Sequence, residues 1–371
     1  MYKKNLKEAI ERNKRFLKRE LMDGILFSAE VIRDNPYMDN ELRDKTYGKR
    51  ECLAVSDKEW VIGNSRCLTR IYQDIDDDTL RSVSSNYPTR HFGESIYSAM
   101  LGGNIEFIGD GSFTSSRSHP PLLIDENDLN KLKIDENNEW VRNYKDAAIY
   151  FAEKAGGDFP LLYFITVDAM NLSVELLGAD AGYTMLYENE ELLRKICEFG
   201  VEYNIWFYEL QKGIYKENNR KAFGDDELYD IYDKTWYSVD AYTQCKPEFY
   251  DSIGLEYHQR LIDYVGGGMM HTHSTGLFRM LPKIKKLKGL GYLQIGRDLD
   301  RSNKEWVSME QLQQIRDTAD DIPLMVEVSK EEFIEGIKKK TLPTGVLYTC
   351  IDINDIEEAN RLAYMAKEYR R

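Results

Sequence analysis

The last third of the chain alternates four times between a short apolar segment and a segment with helical periodicity. Parallel strands must be joined by crossovers of a dozen or more residues, and these crossovers are usually helices. Four such units in succession therefore predict parallel strands joined by helices. The strand-like segments are the run that ends at His271, GYLQIG, PLMVEV and GVLYTC, and the helices after them are LFRMLPKIKKL, SMEQLQQIRDTA, SKEEFIEGIKKK and NDIEEANRLAYMAKEY.

The rest of the chain shows the same alternation less regularly. DGILFSAEVI and FPLLYFITV predict buried strands, while SVELLG and NEELLRKICEFGVEYNIWFYELQKG predict helices whose aromatic residues pack in a core. The first twenty residues carry apolar positions at helical spacing and predict an amphipathic helix. We predict charged loops over residues 34–90, and a long loop with one short strand near Trp236 over residues 213–250.

These patterns favour one domain, an α/β protein with the (β/α)8 TIM-barrel fold and an N-terminal helical extension. A length of 371 residues suits a large barrel, and that fold accommodates many consecutive strand–helix units. Residues 1–90 would hold the extension and the first elements, and residues 91–371 the rest of the barrel. A doubly wound open sheet is the alternative, although no GxGxxG motif follows a strand.

Composition excludes several classes of protein. The net charge of −14 argues against a protein that tracks nucleic-acid phosphates. No apolar run approaches the roughly 18 residues that a membrane span needs. The five cysteines are scattered without a CxxC pair, which argues against a disulfide framework. We expect a cytoplasmic protein that binds neither nucleic acid nor membrane.

His271 and His273 stand at the end of the first of the four strands, in GGGMMHTHSTG, in a chain with five histidines. Residues two apart in a strand leave it on the same face, so both imidazoles would point the same way. Such a pair binds zinc when a third donor reaches it. Cys350, at the end of the fourth strand, is the candidate third ligand. The alternative is a hydrogen-bonded core histidine beside an exposed one, with Cys350 as a buried small hydrophobe.

Several stretches after residue 90 resemble the uroporphyrinogen decarboxylase-like superfamily. Cys245 stands in place of the serine in that family's Ser-Pro-Glu-x-Phe helix. The resemblance covers about 280 residues and implies a (β/α)8 barrel. The matching stretches are FGESIYSAMLGGNIEFIG, HPPLLIDENDLNKLKI, SVELLGADAGYTMLYENEELLRKI and CKPEFYDSIGLEYHQRLIDYV.

Two chemistries occur within that superfamily. The decarboxylases need no metal and hold a tetrapyrrole through an RQAGR-like segment, for which this chain has no convincing match; Cys350 stands where their last histidine would be. The methyltransferase branch binds zinc through His-x-Cys and a cysteine after the last strand. His271 and Cys350, about 80 residues apart, match its first and last ligands, and His273 replaces the middle cysteine.

The resemblance therefore implies a zinc-dependent methyltransferase that moves a methyl group from a methylated corrinoid, carried by a partner protein, to a thiol or related small-molecule acceptor. His271, His273 and Cys350 would hold zinc, with Asp240, Glu256 or water as the fourth ligand. Trp236, Asp240 and Tyr257 are candidate pocket or catalytic residues. A zinc-bound hydroxide enzyme, a decarboxylase, and a non-catalytic corrinoid- or porphyrinoid-binding protein are the alternatives.

Overall fold

The computed structural model describes residues 2–31, 55–80, 95–109, 114–124, 126–232, 234–274, 276–296 and 308–370. Within them, one parallel sheet has six strands and an antiparallel hairpin has two. The strands are β1 Ile25–Val31, β2 Ile105–Gly109, β3 Thr114–Ser118, β4 Trp236–Ser238, β5 Met269–His273, β6 Tyr292–Gly296, β7 Leu324–Ser329 and β8 Val346–Ile353.

The order of the parallel strands identifies the fold. It runs β1-β8-β7-β6-β5-β4, so the first strand pairs with the last, with Ala29 opposite Cys350. In a doubly wound sheet the first strand lies in the interior of the sheet instead. A first strand that is paired with the last is the arrangement of a closed barrel. The predicted (β/α)8 barrel with an N-terminal helical extension is confirmed.

Two further segments occupy the second and third positions of the barrel. The Asp78 amide donates to the Phe27 carbonyl of β1 at 2.8 Å, so residues 78–80 run beside β1. Residues 161–167 lie beside β4, where the Thr166 amide donates to the Trp236 carbonyl at 2.8 Å. The predicted strand FPLLYFITV is therefore this third extended segment.

The helices cover the outer face of the sheet and fill the connections between strands. The α-helices of more than one turn, with two short ones at the barrel mouth, are α1 Leu6–Leu17, α2 Val55–Tyr72, α3 Ile96–Met100, α4 Glu139–Ala155, α5 Ala169–Leu177, α6 Ala179–Glu188, α7 Glu190–Tyr215, α8 Asp226–Tyr232, α9 Asp240–Thr243, α10 Pro247–Phe249, α11 Leu255–Val265, α12 Leu277–Ile284, α13 Met309–Ala319, α14 Lys330–Lys339 and α15 Ile356–Glu368. The long helix α7 continues through a π-helical turn at Lys216–Arg220 into the helical turn Lys221–Phe223, and a second π-helical turn at Tyr250–Gly254 precedes α11. A 3-10 helix spans Glu126–Lys131.

Two loop predictions need correction. The segment 213–250 does hold a short strand at Trp236, but helices α8, α9 and α10 occupy much of what was predicted as loop. Of the predicted loops in 34–90, residues 34–54 and 81–90 lie outside the described residues, and α2 is a helix of 18 residues. Helices α8 and α9 are too short to show a helical period, and the dense charge of residues 34–90 hid the longer helix α2.

Each barrel strand presents one face to the helices and the other to the barrel interior. The Phe333 ring of α14 lies 4.9 Å from the Phe27 ring and 5.8 Å from the Tyr348 ring, so these strand residues face outward. Alternation along β8 then directs Thr349 inward and Cys350 outward. This difference of one residue decides which side chains reach the barrel mouth.

Candidate metal centre

Three side chains converge at the carboxyl ends of β4 and β5. The rings of His271 and His273 lie 4.9 Å apart between centroids. The Asp240 Oδ2 atom lies 3.7 Å from Nε2 of His271 and 3.6 Å from Nε2 of His273. Within the part of the chain that the structure describes, one group of three potential metal ligands has its donor atoms within 4.8 Å of one another, and it is this one. The predicted pairing of the two imidazoles on one face is correct.

The pairing of β4 with β5 places Asp240 beside the histidines. Ser238 is directly opposite His271 in the parallel register. The chain then leaves the sheet, and the Ser238 hydroxyl accepts a hydrogen bond from the Asp240 amide at 3.1 Å. Asp240 thereby becomes the first residue of α9, at the end of the barrel where active sites of this fold lie.

Gln294 on the neighbouring strand β6 orients one of the imidazoles. It is opposite His271 in register, and its Oε1 lies 3.0 Å from Nδ1 of that ring. A carbonyl oxygen only accepts, so Nδ1 donates in this hydrogen bond, and Nε2 is the ring nitrogen that faces Asp240 and can bind a metal. Metal-bound histidines commonly have such a partner on their other nitrogen. This amide was not singled out from the sequence.

The distances between the donor atoms, and the hydrogen bonding of the Asp240 carboxylate, suit a divalent cation. Ligand atoms on tetrahedral zinc, each about 2.0–2.2 Å from the metal, are about 3.4 Å apart, close to the separations from Oδ2 to the two Nε2 atoms. Oδ1 of Asp240 is buried and has no hydrogen-bond partner in the described part of the protein. Two imidazoles and one carboxylate are a donor set that zinc accepts.

A buried carboxyl group, that of Asp168, follows the third extended segment at the same end of the barrel. It caps α5 by accepting from the amides of Met170 and Asn171 at 2.8 and 2.9 Å. Burial raises the pKa of Asp168 to about 7, and the negative charge of Asp240 adds to the increase. The available sequence signal was an acid directly after the buried run FPLLYFITV, at the carboxyl end of a predicted strand.

Cys350 does not reach this cluster in the structure. Its side chain lies on the outward face of β8, fully buried among the helices, with Sγ 3.9 Å from the Ile351 carbonyl. Burial raises the pKa of the thiol to about 12, with Glu331 of α14 adding to the increase. Asp240, rather than Cys350, is the third group beside the two imidazoles.

The other predicted pocket residues lie away from the cluster. Trp236 is two residues before Ser238 and faces the interior nearer the opposite end of the barrel. The Tyr257 hydroxyl is buried, donating to the Val167 carbonyl at 2.8 Å and accepting from Asn204. Glu256 is exposed on α11. Of the predicted fourth ligands, Asp240 is therefore the side chain that lies at the centre.

Comparisons of the sequence find no relative, since no family model and no curated protein matches it. Solved structures do resemble the fold. A methyltransferase from Methanosarcina mazei has a TM-score of 0.61 at 13% identity, over 97% of this chain and 98% of that chain. A B12-independent methionine synthase from a Shewanella species, in complex with selenomethionine, has a TM-score of 0.50 at 12% identity, over 93% and 96%. At these identities the likeness shows the fold alone. Among the described helices none is both long and apolar enough to cross a membrane.

Proposed function

We propose that this chain is a zinc-dependent methyltransferase that moves a methyl group from a methylated corrinoid, carried by a partner protein, to a thiol or related acceptor. The observation that carries the proposal is the convergence of Asp240, His271 and His273 at the mouth of the barrel. The sequence resemblance to the corrinoid:thiol methyltransferase branch favours this reaction. A barrel shared with a structure named as a methyltransferase is consistent with it.

The carboxylate changes the electrostatics that the resemblance implies. In the resembling branch, two thiolates and one imidazole bind the zinc. Here two neutral imidazoles and the Asp240 carboxylate leave the site one unit more positive. Zinc bound there would lower the pKa of a thiol or water in its open position. The same change lowers the nucleophilicity of the thiolate, so acceptor activation depends on how much charge Asp240 supplies.

The protein residues have distinct roles in this reaction. Gln294 holds the His271 ring so that Nε2 points toward Asp240. Oδ1 of Asp240 is buried, whereas the side chain as a whole is 33% exposed, which leaves the centre open to a substrate from the barrel mouth. In the proposed reaction the acceptor thiol would release its proton to solvent, its sulfur would form a bond to the methyl carbon, and the carbon–cobalt bond of the partner's corrinoid would break with its electron pair left on cobalt. Positioning the two reactants accounts for much of the rate of such a transfer.

A hydrolase is the second candidate, and the observed donor set favours it. Two histidines with one carboxylate form the ligand set of metal sites that activate water for hydrolysis. Because Cys350 is not beside the histidines, the described residues place no thiolate at the centre that would favour alkylation chemistry.

Metal analysis followed by an activity assay tests the proposal. We expect about one zinc per chain in wild type and in Cys350→Ala, and loss of zinc in His271→Ala and Asp240→Asn, with circular dichroism showing that all four proteins are folded. Cys350→Ala is the matched control because its thiol faces the helices. Zinc retained by both His271→Ala and Asp240→Asn would contradict this metal site.

The activity assay follows the loss of methylcobalamin absorbance with a panel of thiols. We expect demethylation by wild type and Cys350→Ala, and at least a 100-fold slower rate for the two variants that lose zinc. If zinc-loaded wild type demethylates no faster than buffer but cleaves a panel of activated esters in a zinc-dependent way, the hydrolase is correct and the methyltransferase is wrong.

A further inference from the structure

A cavity of about 600 Å³ lies inside the barrel at the end opposite the candidate metal centre. The interior of a (β/α)8 barrel is normally filled by layers of side chains, so a space of this size is a departure from the fold. Binding sites for small organic molecules have volumes of about 300–1,000 Å³. Inward-facing residues of successive strands line it: Leu162, Trp236, Met269, Tyr292, Met325 and Leu347.

The cavity and the metal centre are separate sites. Met269 pairs with Trp236 on one side and with Tyr292 on the other, so these side chains form one layer. His271 is two residues further along β5, which is about 6.6 Å at the rise of a strand. None of the three residues of the metal centre lines the cavity. A ligand in the cavity would therefore lie one layer below the metal centre, without contact to the potential ligands.

Two glycines lie at the rim of the cavity, at the amino-terminal ends of β5 and β6. At Gly268, where φ is 132°, a Cβ atom would lie 2.4 Å from the Tyr237 ring and 2.6 Å from the Thr235 carbonyl oxygen. At Gly291, a Cβ atom would lie 2.7 Å from the Gly268 carbonyl oxygen. Glycine therefore immediately precedes both β5 and β6, and neither of these positions carries a side chain at this rim.

Positive charge predominates at this rim, in a chain whose net charge is −14. The cations that line the cavity are Lys14, Lys18, Arg19 and Lys234, of which Lys14 pairs with Glu227 at 3.4 Å and Arg19 with Asp321 at 3.5 Å. The acids that line it are the exposed Asp230 and Asp78, which pairs with the buried Arg12. Lys18 is exposed and makes no ion pair with a described residue, and Lys234 donates to the Val265 carbonyl at 3.2 Å. The wall is apolar and the rim is cationic.

We propose that this cavity binds a single-chain amphipathic anion, such as a medium-chain carboxylate. The hydrocarbon chain lies inside the barrel against Met269, Met325 and Leu347. The anionic head lies at the rim near Lys18 and Lys234. An apolar wall with a few convergent polar groups is the usual composition of a small-molecule site.

Three probes with the same tail and different heads test the proposal: dodecanoate, dodecan-1-ol and dodecyltrimethylammonium, each below its aggregation concentration. Titration calorimetry with the full chain should give one dodecanoate per chain, bound at least tenfold more tightly than the cationic probe. Dodecanoate should also change tryptophan emission, and Trp236→Phe should remove most of that change, because Trp236 lines the cavity. Equal binding of the three probes would overturn the assignment of an anion.

Two pairs of variants locate the site. Met325→Trp should fill the cavity and weaken dodecanoate binding at least tenfold, whereas Met365→Trp on the outer helix α15 should not. Lys18→Glu should weaken binding about fivefold, whereas Lys7→Glu, on α1 but outside the cavity, should not. Circular dichroism and zinc content report whether each variant is folded. No dodecanoate binding to wild type, or unchanged binding to a folded Met325→Trp, would overturn the proposal.

Discussion

Two carboxylates lie close together at each end of this barrel, and their surroundings differ. At the N-terminal end, Asp77 pairs with Lys3 and Asp78 with Arg12, each at 2.5 Å with little exposure. At the mouth, Asp168 and Asp240 form no ion pair with a lysine or arginine among the described residues. The side chains that face the Asp240 carboxylate are the imidazoles of the candidate metal centre.

The difference shows which carboxylates stabilise the fold and which serve a site. Asp77 and Asp78 also accept the amides of Ala29 and Phe27, so they join α1, β1 and the second barrel position into one unit. A buried carboxylate without a cation is costly unless something supplies the charge. At the mouth, a bound divalent metal would supply it.

The largest expected effect is on the N-terminal pair. Asp78→Asn leaves Arg12 buried without a counter-charge, which costs about 3–5 kcal/mol of unfolding free energy. Chemical denaturation measures this loss. Asp158→Asn is the control, because the Arg66–Asp158 pair is exposed and should contribute under about 1 kcal/mol. If Asp78→Asn unfolds like the control, the pair does not have the structural role inferred here.

A smaller effect is expected at the mouth. Gln294→Leu removes the acceptor that orients His271, so zinc affinity should fall about 10–100-fold while stability without zinc changes little. Gln294→Glu should keep the affinity, because a carboxylate also accepts from Nδ1. Competition with a zinc-binding dye measures both. Equal affinity in wild type and Gln294→Leu would show that the His271 ring needs no such partner.

The sequence predicted the parts of the fold that depend on period and order. The four strand–helix units appear as β5–α12, β6–α13, β7–α14 and β8–α15, because each combines an apolar strand with a full helical repeat. The third barrel segment was found by its apolar run. Helices α8 and α9 were not found, since they are too short to show a helical period, whereas α10 lies in the Pro-Glu-Phe stretch that the resemblance had placed in a helix. The polar composition of residues 213–250 is also typical of loops, and the sequence offers no stronger signal of a helix there.

For the site, the sequence predicted that His271 and His273 lie together, but it did not identify the side chains beside them. His271 and His273 share a face because the period of a strand is two, whatever surrounds it. Cys350 was placed at the end of the right strand, but its direction depends on register, and one residue reverses the face. Asp240 entered as one of three options for the fourth ligand, since only the β4–β5 register brings it to His271.

The smallest expected effect is on the pH dependence of stability, and it tests whether the carboxylates at the barrel mouth lack a neighbouring cation. Asp168 has a pKa of about 7 in the folded protein, mainly through burial, against an ordinary value of 3.8. The folded state therefore binds more protons than the unfolded state between about pH 4 and 7. Its stability from this group is fully present below pH 4 and is lost as pH rises through 7.

Asp168→Asn removes that dependence and keeps a good helix cap. With zinc removed by a chelator, wild type should lose about 1–2 kcal/mol more than the variant between pH 6 and pH 8. Any cost of the substitution that does not depend on pH cancels in this difference. The contribution of the buried His258, whose pKa is lowered to about 3, also cancels, because both proteins contain that residue. Excess zinc should shrink the difference, because a cation at Asp240 favours the ionised form of Asp168. Parallel pH profiles of wild type and variant without zinc would show that Asp168 is already compensated and that the two ends of the barrel do not differ in this way.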